Sequence, residues 1–218
     1  MDETAKEIAK TTNKVLEVAE KVGGFFATVL GDACKEMGAS IHDWAKLYRY
    51  RNLLRISDKV QEIHKKRKIE GRSIPVQPQI GIPMLEAASI VEDDYLQQKW
   101  AALISNATDP KNKTAIRKSY IDILSSMDPS DAMVLDWMDT QRQNIPSREI
   151  TIKIISEKLN LSLSDAKITI INLSRLGLIN IQVPTLVGRT DINASSEKTC
   201  YTLNQLGETL LNLCKFQA

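Results

Sequence analysis

Along the first forty residues, Ile8, Thr12, Val15, Ala19, Val22, Phe26, Val29 and Ala33 recur at alternating spacings of four and three. This heptad seam, with Glu7, Lys10, Lys14, Glu17 and Lys21 outside it, predicts one long helix over 4–37. Such a seam packs either within its own domain or against a second subunit, and Val15, Val22, Phe26 and Val29 are its candidate oligomer contacts. Gly23 and Gly24 interrupt it. A mid-helix glycine costs about 1 kcal/mol relative to alanine, so the helix bends there or another backbone comes close.

A second helix is expected from Ser40, its N-cap, to Ile69. Leu53, Ile56, Val60 and Ile63 lie on one side, and Arg51, Arg55, Lys59 and Lys66 on the other. Residues 71–83, GRSIPVQPQIGIP, read as an ordered crossing segment because Pro75, Pro78 and Pro83 remove backbone donors. A short helix over 85–90 and an amphipathic one over 92–106 follow. In the latter, Leu96, Trp100, Leu103 and Ala107 face a core and Ala101 and Ala102 admit a close neighbour. The next helix spans 113–127, with Ile116, Tyr120, Ile123 and Leu124 inward. Asp128-Pro129 then has the form of a cap followed by proline at the first helical position, opening a helix to Gln143.

Beyond Ile145 the periods shorten. The pattern predicts helices over 150–159 and 162–176, a stop at Gly177, a strand over 178–183, a polar loop, a strand over 199–203 and a closing helix over 204–216. That order, and the phrase SRLGLI, resemble a winged helix-turn-helix domain with a two-stranded wing. The fold class is therefore mainly α, with an N-terminal domain of long helices over 1–127 and a winged-helix-like domain over 128–218.

Composition changes this picture in one place. Residues 41–72 carry ten Lys or Arg against four Asp or Glu, although the whole chain is only +2. Arg51, Arg55, Lys59 and the run Lys65, Lys66, Arg67, Lys68 thus form a candidate surface for nucleic acid or an acidic partner. The other reading is a solvated helix face on which Asp58 and Glu62 pair with these bases. The second helix of the winged-helix-like domain offers Lys167 and Arg175, and its loop Arg189, but residues 131–218 hold nine bases against nine acids. That balance disfavours phosphate binding and favours protein contact.

No CxxC pair occurs, and Cys34, Cys200 and Cys214 are too scattered to suggest a framework, so free thiols in a reducing compartment are expected. The N-terminus lacks the basic and apolar pattern of a signal peptide. The uncharged window 22–30 is too short for the roughly 18–20 residues that span a bilayer, so stable membrane insertion is not expected. These features point to the cytoplasm. Asp93, Asp94, Asp109 and Asp122 are dispersed, and neither a metal nor a cofactor is implied.

Four stretches carry a family resemblance: AKEIAKTTNKVLEVAEKVGGFFATVLGD, YRYRNLLRISDKV, LQQKWAALISNATDP and YIDILSSMDPSDA. Together, over about 5–127, they resemble the abortive-infection alpha (Abi-alpha) family. The resemblance implies an intracellular bacterial or mobile-element protein associated with defence against bacteriophage, and supplies no catalytic residues. Two functions follow. One is a non-enzymatic interaction or effector protein, homo-oligomeric and acting on a protein partner. The other is a regulator that binds duplex DNA through Lys167, Arg175 and Arg189, aided by the basic helix. A nuclease would need carboxylates or His/Cys groups assembled by folding.

Overall fold

The computed structural model describes Gly24 and residues 44–141, 150–182 and 199–215. The seam residues Val15, Val22, Phe26 and Val29, the Ser40 cap and Arg189 lie outside this set. Gly24 is helical, and a β-carbon added there meets no described atom within 4 Å. The chain divides into two units, Met1–Ser125 with Cys214–Ala218, and Ser126–Leu213. It is mainly helical, with one antiparallel strand pair near the C-terminus.

In the first unit, α1 (Trp44–Arg67), α2 (Pro78–Ser89), α3 (Asp94–Thr108) and α4 (Lys118–Ser125) surround a shared core. The expected apolar side of α1 is buried: Leu53, Ile56, Val60 and Ile63 all face inward. It packs along α3 and against α2. Lys68, just past α1, takes φ 56, the left-handed conformation that turns the chain. Ile69 is then buried as its amide bonds the His64 carbonyl.

Three expectations need correction. Helix α2 begins at Pro78, where a crossing segment was expected, because proline at the first helical position loses no bond that the helix could have made. Pro83 is then carried inside it. Second, α4 starts at Lys118, not Lys113. Asp109 Oδ1 accepts from Lys111 N and Asn112 Oδ1 from Thr114 N, and these side-chain turns compete with a helix. Ile121 is buried there, while Ile116 and Ile123 are only half-buried.

Third, α3 is not amphipathic. Ten of its fifteen residues are buried, more than a single apolar stripe supplies, because α1 and α2 both pack on it. Asp93 caps its start, with Oδ1 accepting from Leu96 N at 2.9 Å, so the helix opens at Asp94, two residues later than expected. Trp100, Leu103 and Ile104 are fully enclosed, and Ala101 and Ala102 are buried beside them.

The second unit has the order α5 (Pro129–Gln141), α6 (Ile152–Leu159), α7 (Leu163–Arg175), β1 (Ile179–Gln182), β2 (Cys200–Leu203) and α8 (Gln205–Cys214). Thr151 caps α6, so Ile150 is freed from the helix, and its carbonyl accepts from Tyr201 N at 2.9 Å. β2 therefore bonds β1 on one side, in the register Ile179↔Leu203, and Ile150 on the other.

The turn between α6 and α7 is tight. Asn160 takes φ 52, and Ser162 caps α7 by accepting from Asp165 N at 3.0 Å. At the far end, Gly177 has φ +70, while Leu178 N bonds Leu173 O and Gly177 N bonds Ser174 O. That is a Schellman stop, as the glycine predicts. Asn204 joins this stop to α8: its Nδ2 donates to Gly177 O at 2.7 Å and its Oδ1 accepts from Gly207 N at 3.0 Å.

Candidate interaction surface

The basic side of α1 is largely answered from within its own unit. Arg51 bonds Glu92 at 3.0 Å, and Arg55 and Lys59 reach Asp94 at 3.3 and 2.8 Å. The Lys59 hydrogen bond, then its charge, holds the Asp94 carboxyl below the usual range despite some desolvation, with Gln98 and Arg55 adding to it. Lys66 pairs with Glu62 one turn back at 2.7 Å. Such exposed pairs contribute only about 0–1 kcal/mol each, but they decide the electrostatics. The acids that open α3 lie against these bases, so Glu92 and Asp94 join Glu62 as partners of this face. Lys65 and Lys68 remain exposed.

Arg67 turns inward. Its Nη1 donates to Asn106 Oδ1 at 2.7 Å and lies 3.7 Å from Asp109 Oδ2, in a pair whose side chains are 14% and 12% exposed. Beside it, buried His64 places Nε2 at 3.1 Å from Thr108 Oγ1. The Thr108 hydroxyl lies 3.0 Å from the Ile104 carbonyl. With its proton donated there, the threonine oxygen accepts from His64 Nε2–H. The stretch SNATD thus closes a polar knot that ties the ends of α1 and α3, with Asn112 Nδ2 bonding Asn106 O.

Burial, reinforced by the Arg67 charge, pulls the His64 pKa below 6.5, against weaker opposition from Asp109 and Glu70. A depressed histidine is neutral in the fold and binds more protons when unfolded. Its contribution is therefore full above the unfolded pKa and is lost as pH falls through the folded value. Melting temperature should accordingly drop as pH is lowered from about 7.5 to about 5.5. His64→Gln, which keeps a donor for Thr108, should show a shallower slope over that interval; equal slopes would remove His64 as the cause.

In the second unit, α7 presents Ala166, Thr169, Ile170 and Leu173 inward. Its outward side is unusual for a helix edge on solvent: Leu163, Ile168 and Ile171 are 61%, 62% and 58% exposed. Lys167 and Arg175 flank this apolar face and Asp165 lies near its start. The face is held by polar ties to α5. Asn172 Nδ2 donates to Asp131 Oδ2 at 2.6 Å, and the same carboxylate oxygen accepts from Asp128 N at 2.8 Å. Burial raises the Asp131 pKa, opposed by these two bonds. Arg175 in turn donates through Nε and Nη2 to Asn172 Oδ1 at 3.1 and 2.8 Å.

These exposed residues were not singled out from sequence, though a signal existed. The stretch LSDAKITIINL has too many large aliphatics for one face of a short helix, so some had to point outward. Of the expected basic contacts, α7 brings Lys167 and Arg175 to this outward side. Among the described residues, no cluster of three His, Cys, Asp or Glu side chains could hold a metal ion, and no helix is long and apolar enough to cross a membrane. Cys200 and Cys214 are buried free thiols, as expected for that pair.

Comparison with known families now decides the relationship. The abortive infection alpha pattern matches residues 51–214, most of the chain. The chain belongs to the abortive infection alpha family. The match differs in extent from the 5–127 expected from the quoted phrases. It begins at Arg51, inside α1, and continues through α8, so the second unit is part of what defines this abortive infection alpha protein. The membership points to an abortive-infection-related role. No curated protein and no solved structure matches the chain.

Proposed function

We propose that this abortive infection alpha protein acts in phage defence as an interaction or effector protein, through protein–protein contact and without bond-making chemistry of its own. One observation carries this reading: the outward side of α7 is apolar at Leu163, Ile168 and Ile171, where a nucleic-acid reader would set basic and amide side chains. Exposed large aliphatics on a packed helix favour a protein contact over solvent. The neutralised face of α1 agrees, since few of its charges are left to attract an acidic backbone.

The experiment is a plaquing assay in a bacterial host expressing the full chain, against a phage that the wild type restricts. Ile168→Lys with Ile171→Lys should lose about tenfold or more of the protection while keeping its melting temperature, because both positions are exposed. Undiminished protection by a folded variant would refute the contact reading.

The order of the second unit favours one other reading. Three helices followed by a strand pair, with an added bond at Ile150, resemble the order of winged helix-turn-helix domains, many of which bind DNA. On that reading, Lys167 and Arg175 would contact phosphate, and binding to duplex DNA would weaken steeply with salt. Fluorescence anisotropy with duplex DNA across salt concentrations separates the two. A steep salt slope that disappears in Lys167→Glu with Arg175→Glu would favour the regulator.

A further inference from the structure

We propose that the outward face of α7 pairs, antiparallel, with the same face of a second copy of this chain, Ile168 of one copy lying against Ile171 of the other. The inference rests on the protein-contact reading and names its partner. Ile168 and Ile171 sit three residues apart in the middle of α7, so they are neighbours on its surface, and both are more than half exposed. A twofold axis between positions 169 and 170 sets each of them level with the other in the second copy.

The charges choose between arrangements. Asp165 lies near the start of α7 and Arg175 at its end. The same twofold brings Asp165 of each copy to within about 1.5 Å, one residue's rise, of the level of Arg175 in the other. Opposite charges then meet at both ends of the apolar pair. A parallel pairing would set Arg175 on Arg175 and Asp165 on Asp165. Contact between two copies through one patch requires a self-complementary surface, and the antiparallel arrangement provides it.

The area sets the strength. The exposed shares of Ile168 and Ile171, the two that meet across the twofold, amount to on the order of 200 Å² of apolar side chain per copy. A stable interface uses about 800 Å² per partner. The pairing is therefore reversible and follows concentration. It uses no residue of the expected heptad seam at Val15, Val22, Phe26 and Val29, so Phe26→Asp leaves its contacting side chains unchanged.

Sedimentation velocity on the full chain across the micromolar range tests this, alongside the plaquing assay. The average mass of wild type and of Phe26→Asp should rise with concentration, and that of Ile171→Lys should stay flat. Asp165→Arg and Arg175→Asp should each weaken association about three- to tenfold, for two exposed ion pairs, and the two together should restore it. Melting curves accompany each variant, since Asp165 also bonds Ser162 and Arg175 bonds Asn172. A wild-type mass that does not change with concentration overturns the second-copy inference, as does an Ile171→Lys variant that associates like wild type. If the mass is flat but Ile168→Lys with Ile171→Lys still abolishes protection, the contact reading stands with a different protein on this face. If protection persists in that variant, the contact reading falls whatever the mass.

Discussion

Gly207→Ala is expected to lower the melting temperature of the second unit by about 10 °C, although glycine to alanine within a helix ordinarily stabilises. Alanine has the better helix propensity by about 1 kcal/mol. Here that gain is outweighed. A β-carbon at Gly207 would sit 2.4 Å from the Leu178 carbonyl oxygen and 3.3 Å from its carbon, with Leu203 Cδ2 at 3.4 Å. The obstacle is backbone, held in place by the Schellman stop of α7 and by the bond from Asn204 N to Leu178 O at 3.2 Å. It cannot swing aside as a side chain would. Overpacking of this kind costs about 3 kcal/mol, and displacing Leu178 O adds about 1 kcal/mol for the weakened hydrogen bond. The net loss of about 3 kcal/mol is worth about 4–8 °C per kcal/mol in a unit of this size, so 10 °C is a conservative figure. Differential scanning calorimetry would check it, and a melting temperature at or above wild type would mean that α8 does not approach the turn this closely. Gly177→Ala should be milder, about 1 kcal/mol, because its cost is the left-handed φ of +70 with only Leu206 Cδ2 nearby at 4.0 Å.

Trp100→Ala should cost the first unit about 3–5 kcal/mol, the range for deleting a buried aromatic side chain. Trp100 is 0% exposed at the middle of α3, the helix on which both α1 and α2 pack. A domain is stable by only about 5–15 kcal/mol in total, so the variant should be partly unfolded near physiological temperature. The conservative change gives the sharper contrast. The indole Nε1 is buried with no hydrogen-bond partner among the described residues, so Trp100→Phe removes a polar group uncompensated there while retaining much of the volume. It should cost well under half as much as Trp100→Ala. Urea denaturation followed by far-ultraviolet circular dichroism would report both. If alanine and phenylalanine cost the same, the space around Trp100 is not the packed core described.

How much of this was legible in the residues follows from where the deciding forces act. The inward side of α1 and the opening of α5 at Asp128-Pro129 were readable, because periodicity and capping are local. Gly177 announced its own turn. Elements α6 to α8 fell within a few residues of expectation for the same reason. Pro78 misled because one residue type serves both to break a chain and to begin a helix; only the fold distinguishes them. The all-round burial of α3 was hidden, since polar Gln97 and Ser105 read as surface, and only two neighbouring helices put them inside.

The partners of the basic face were hidden for a non-local reason. Glu92 and Asp94 come from a segment 35 to 41 positions further along, and charge counted in windows cannot see that they fold back onto Arg51 and Lys59. The α7 face was missed in the opposite way. The core takes Ile170 and Leu173 and leaves Leu163, Ile168 and Ile171 outside, a division that periodicity alone did not reveal.

Those ties from α1 to the start of α3 also govern how the molecule responds to its medium. Added electrolyte competes first with bonds the protein makes to itself, so it loosens the seat of one helix before it alters any encounter. A chain arranged in this way has little reach beyond a Debye length. On the contact reading proposed above, a partner is met at close quarters, by shape.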